Sequence, residues 1–67
     1  MQPPSGKDLV HILERLGWVL HHVSGSHHIL KHANGRVVTI PVHGNRPLKR
    51  GTYTAIRKQT GITTQDR

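Results

Sequence analysis

A chain of 67 residues with ten Lys and Arg against three acids, its seven His counted as neutral, carries a formal charge of +7 and a pI near 11.4. At this length about 60% of the unfolded chain's surface can be buried, which limits the molecule to one small domain spanning residues 1–67 and excludes a Rossmann or barrel enzyme with an interdomain cleft. The 33% hydrophobic content, with one Trp, one Tyr and no Phe, supports a core because it falls in periodic clusters.

Met1 to Pro4 form a short polar lead. Ser5 followed three positions later by Asp8 matches a capping box with Asp in place of Glu, which predicts a helix starting there. Leu9, Ile12, Leu13 and Leu16 give it one apolar stripe with Val10 on the flank, and Gly17 closes it with a left-handed cap. From Trp18 to Val23 the residues alternate Val19, His21, Val23 against Trp18, Leu20, His22, a strand pattern.

Ser24-Gly25-Ser26 is read as a turn, His27 to His32 as a second strand, and Ala33-Asn34-Gly35 as a tight hairpin turn. Arg36 to Ile40 forms a third strand, which Pro41 ends because Pro cannot donate to a ladder. His43 to Pro47 is a loop. A second helix is expected from near Gly51-Thr52 to about Thr60, with Tyr53 and Ile56 as its apolar face, Gly61 as its C-cap and Ile62 folding back. The order is α-β-β-β-α: an α+β domain with a three-stranded antiparallel sheet, both helices on one face and the other face free for a ligand.

Charge and composition narrow the chemistry. So basic a small domain points to nucleic acid. No basic amphipathic helix with an apolar opposite face is visible, so a membrane partner is not expected. Asp8, Glu14 and Asp66 are the only carboxylate side chains, too few and too scattered for a two-metal nuclease or a glycosidase pair. The absence of Cys removes thiol nucleophiles, disulfides and Cys-based zinc sites. No apolar leader or membrane-length run is present in the sequence, and a cytoplasmic location is expected.

Four of the seven histidines form two doublets, His21-His22 and His27-His28, on either side of Gly25. Adjacent strand residues point to opposite faces, so neither doublet can chelate one metal ion, and no cofactor is expected. His11, His21, His22 and His32 read as surface polar residues. A histidine beside a Gly-Ser turn can instead move protons at a ribose 2′-hydroxyl or a leaving oxygen, because imidazole titrates near neutrality. Strand parity puts His27 with Ile29 and Lys31, and His28 with Leu30. The charged Lys31 places His27 on the open face, although Ile29 argues the other way.

Gly17-Trp18, then Gly25-Ser26-His27-His28-Ile29, then Asn34 through His43 (NGRVVTIPVH), Leu48-Lys49-Arg50-Gly51-Thr52 and Ile56 through Ile62 (IRKQTGI) follow one another in an order that resembles HicA-type toxins, the mRNA interferases of bacterial type II toxin–antitoxin systems. The resemblance spans nearly the whole chain. It implies a double-stranded-RNA-binding-like fold, ribonucleolytic cleavage of mRNA and a HicB-type antitoxin partner. The essential histidine of the family follows the Gly-Ser turn, which maps onto His27; some members place it one residue later, at His28, so the doublet leaves both positions open.

Backbone N–H groups at Gly25 and Ser26, and the Ser26 hydroxyl, are candidate phosphate contacts, although a hairpin turn alone accounts for both residues. His43 is a candidate second proton-transfer group or a plain loop residue. Lys31, Arg36, Arg46, Lys49, Arg50, Arg57 and Lys58 are candidate RNA-binding cations, a part of which is ordinary solvated charge. Trp18 and Tyr53, the only residues able to stack on bases, are expected in the core. A non-catalytic RNA-binding module of the same shape is the alternative function.

Overall fold

The computed structural model describes residues 2–62; Met1 and residues 63–67, Asp66 among them, lie outside the described residues. The elements run in the expected order: α1 (Gly6–Arg15), β1 (Val19–Ser24), β2 (His27–Lys31), β3 (Val37–Pro41) and α2 (Arg50–Thr60). Ser5 caps α1 in an extended conformation, its Oγ accepting from the Asp8 N–H at 3.1 Å. The helix stops short of the end that the apolar stripe implied. Leu16 is the C-cap and is exposed. Gly17, at φ 97°, turns the chain so that the Trp18 N–H reaches the Leu13 carbonyl at 3.0 Å and the Gly17 N–H reaches Glu14 at 3.2 Å. This pair of bonds is a Schellman closure, and it puts the Trp18 ring, not Leu16, into the core beside Leu13.

The strands form one antiparallel sheet in the order β1-β2-β3. Pairing of β1 with β2 runs Val19↔Lys31 and Leu20↔Leu30, then jumps to His22↔Ile29, Val23↔His28 and Ser24↔His27. The irregularity between Leu20 and His22 inserts one extra residue. It corrects the simple alternation expected of β1: Val19 now shares a face with His22 and Ser24, while Leu20 and Val23 share the other. Gly25 and Ser26 make the two-residue β1–β2 turn, with Gly25 at φ 58° and Ser26 at negative φ, the combination of a type II′ hairpin.

The second hairpin turns through Ala33, Asn34 and Gly35, as the sequence predicts. Gly35 N–H bonds the His32 carbonyl at 2.9 Å, His32 N–H bonds the Arg36 carbonyl at 2.9 Å, and only Gly35 has positive φ. The result is a three-residue loop, a type I turn followed by a left-handed glycine. Asn34 serves it through its side chain, Oδ1 accepting from the Arg36 N–H at 2.9 Å.

Both helices cover one face of the sheet, α1 against β1 and β3 and α2 against β3. Leu9 and Leu13 of α1 meet Leu30, Val38 and Ile40 of the sheet, all essentially without exposure, and Tyr53 and Ile56 of α2 complete the cluster. Ile62 folds back onto it past Gly61, whose φ of 76° ends α2. The β3–α2 loop is tied to the N-terminal lead: Leu48 N–H donates to the Pro4 carbonyl at 2.9 Å, and Ser5 bridges Pro47.

Candidate functional site

Residues paired across an antiparallel sheet share a face, so the register lays out the uncovered side in three rows. Val19, Lys31 and Val37 form the first, His22, Ile29 and Thr39 the second, Ser24, His27 and Pro41 the third. Val19 and Val37 are well exposed and flank Lys31; His27 is exposed at the other end. Lys31 lies four residue steps along β2 from His27, roughly 13 Å at about 3.3 Å per residue. No described carboxylate lies on this face, since Asp8 and Glu14 both belong to α1.

The His27 row is held tightly. The Val42 N–H donates to the Ser26 carbonyl at 2.7 Å, the bond that flanks a non-hydrogen-bonded pair, and His27↔Pro41 is that pair. In such pairs the Cα atoms approach to about 4.5 Å and the side chains are at their closest. The same geometry turns the nitrogen of Pro41 toward the free edge of β3, so its missing N–H costs the ladder nothing. Behind Pro41 sits Gly6, a residue that no sequence pattern marked. A Cβ on Gly6 would overlap the Pro41 carbonyl oxygen and lie 3.1 Å from the Val42 Cα. Gly6 lets the first turn of α1 touch the backbone that faces His27. A glycine directly after an N-cap, where helix formers are usual, was the available signal.

Gly25 meets nothing within 4 Å where a Cβ would stand. The turn is open, and its glycine is required by φ alone. His28 goes the other way. It is half-buried, pairs with Val23 and Ile40 on the helix side of the sheet, and its Nδ1 is buried with no hydrogen-bond partner among the described residues. Among the histidines read as surface polar, His11, His21 and His22 are exposed, whereas His32 is half-buried with its ring edge-on to Trp18 at 5.1 Å. Among the described residues no three or more of His, Cys, Asp and Glu gather as metal ligands.

The candidate RNA-binding cations separate into groups. His43 and Lys49, with Arg46, line a cleft of about 330 Å³ whose wall includes Pro41. Gly25 and Ser26 lie on the same end of the sheet, next to His27. Arg36 stands at the opposite end, in a depression of about 340 Å³ with Trp18, His32 and Asn34. Arg50 is exposed at the start of α2. Arg57 and Lys58 occupy its last turn, where cations favour the helix dipole; Arg57 also stacks over Tyr53, 5.6 Å from the ring centroid. Trp18 and Tyr53 are both buried, which leaves no exposed Trp, Tyr or Phe for base stacking among the described residues.

A family model described as the HicA toxin of bacterial toxin–antitoxin matches residues 6–62. The chain belongs to the HicA toxin family. The match begins at the glycine under Pro41 and ends at the isoleucine that closes the core, so every element of this HicA toxin contributes to it. Family membership makes the protein the toxin of a toxin–antitoxin pair and implies a cognate antitoxin. The chain matches no curated protein. Among the described residues no helix is long and apolar enough to cross a membrane.

Proposed function

We propose that this toxin is a metal-independent endoribonuclease that cleaves mRNA in the cytoplasm, with His27 moving the proton. One observation carries the reading: the doublet divides, His27 standing exposed on the uncovered sheet face beside an open Gly-Ser turn, His28 turned in beneath the helices. In the reaction the 2′-hydroxyl attacks the adjacent phosphorus and the P–O5′ bond breaks. A 2′,3′-cyclic phosphate and a 5′-hydroxyl result. A base accepts the 2′-hydroxyl proton and an acid supplies one to the 5′ oxygen. His27 takes one of these roles, and His43, across Pro41 in the neighbouring cleft, is the candidate for the other.

The open turn allows backbone N–H groups of Gly25 and Ser26 to approach a phosphate oxygen, and Lys31, on the same face, meets the strand further along. A HicB-type antitoxin is the inhibitor in this reading. Its footprint covers the His27 row, because occluding that face blocks substrate directly.

The test is cleavage of single-stranded mRNA in excess EDTA. Cutting should survive chelation, and His27→Ala should reduce it by about 10²–10⁴-fold, the usual worth of one acid–base group. Binding without cutting by the wild-type protein would replace this reading with that of a non-catalytic RNA-binding module. Abolition of cutting on chelation would overturn the metal-independent mechanism.

A further inference from the structure

We infer that the 330 Å³ cleft between the end of β3 and the start of α2 is a subsite for a phosphate flanking the cleaved bond. The inference rests on the ribonuclease reading for the position of that bond. Pro41 is shared: it pairs with His27 in the sheet and forms one wall of the cleft. Arg46 and Lys49 are exposed at its rim, and His43 adds an imidazole. Two fixed positive charges within one concavity, with no acid among its lining residues, match a phosphodiester. A volume at the lower end of small-ligand sites suits a phosphate with part of its sugar.

The cleft is preformed. Its floor, Leu48, is buried and anchored to the Pro4 carbonyl at 2.9 Å, and the turn carrying Arg46 is closed by its own N–H on the His43 carbonyl at 3.1 Å. Thr52, half-buried on the wall, offers a hydroxyl donor. The first turn of α2 contains no acid, and its N-cap Lys49 makes no side-chain capping bond, so the positive end of that helix is left without a side-chain cap. A strand of RNA bound at His27 is offered a second phosphate contact on the far side of Pro41.

A 2′-O-methyl RNA hexanucleotide, which lacks the attacking hydroxyl and is not cut, serves as the probe, with affinity measured by fluorescence anisotropy across a salt series. The double variant Arg46→Ala/Lys49→Ala should bind at least tenfold more weakly, with a salt slope shallower by about 0.7 for each phosphate it no longer neutralises. Lys7→Ala/Arg15→Ala, which removes the same charge from exposed positions of α1, should weaken binding far less. Arg46→Lys/Lys49→Arg should keep near-wild-type affinity, separating charge from folding. Equal weakening in the two alanine pairs, or no binding by the wild-type protein, would overturn the subsite. Ordinary RNA cut normally alongside equal weakening leaves the ribonuclease and removes the subsite. Selective weakening in a wild type that never cuts RNA does the reverse.

Discussion

Two neighbours of His27 place opposite demands on the fold. Gly6 is the first. Because any Cβ there meets the Pro41 carbonyl, Gly6→Ala must push the end of β3 away from α1. An overpacked position of this kind costs about 1–3 kcal/mol. The expected outcome is a lower urea midpoint together with reduced RNA cleavage, since Pro41 is the sheet partner of His27; a variant that loses neither would show that the two elements part freely. His28 is the second. Its buried Nδ1 has no partner among the described residues, and such an atom costs about 1–3 kcal/mol. His28→Leu should therefore melt at the same temperature or higher and still cut RNA. A drop in cleavage equal to that of His27→Ala would move the acid–base role to His28. Sequence parity separated these two rings, but the motif left the choice open, because a Gly-Ser-His-His run satisfies both alignments.

At the scale of elements, the β1–β2 hairpin presents the site and its glycine bears the conformational demand. Gly25 sits at φ 58° with open space around it, so a side chain there is penalised by backbone alone, about 1–2 kcal/mol for an ordinary residue. Gly25→Ala should destabilise by that amount in a denaturant titration, and Gly25→Asn by less because Asn is among the few residues besides Gly accepted at the positive-φ position of a type II′ turn. If both variants keep full stability yet bind RNA poorly, the glycine serves the ligand and not the turn. The hairpin also shows where pattern reading fails. Alternation along β1 assigned His21 and Val23 to one face with Val19, but the irregularity after Leu20 reverses parity beyond it. A one-residue insertion leaves no mark on hydrophobic periodicity when histidines and valines occupy both faces. Leu16 failed for a related reason: its spacing fits the stripe, yet a Schellman closure ends the helix before it.

For the whole molecule, the charge of +7 acts through placement. Lys31 lies on the sheet face with His27, the Arg46–Lys49 pair beside it, and the described acids are on α1. Binding of single-stranded RNA should follow counterion release, with a logarithmic salt slope of about −0.7 per phosphate neutralised. With three phosphates engaged, the His27→Ala protein should bind about tenfold or more weakly at roughly 200 mM than at roughly 50 mM salt, as read by filter binding. A flat salt response would mean that the cations are solvated surface and do not grip the strand. Net charge was readable from composition. Its distribution, with Arg46 and Lys49 lining one cleft and Arg57 and Lys58 in the last turn of α2, was not.

What the sequence settled by itself is the order of elements, the single helix-covered sheet face, the caps at Ser5, Gly17 and Gly61, and the family, all of which rest on local chemistry between residues near one another in the chain. What only the tertiary structure decided is how distant segments meet: Gly6 under Pro41, Pro41 opposite His27, Pro4 holding Leu48 at the floor of the cleft. Side-chain spacing encodes a residue's face within its own element. It carries no record of which backbone a glycine must let approach, or of which loop closes beside an imidazole.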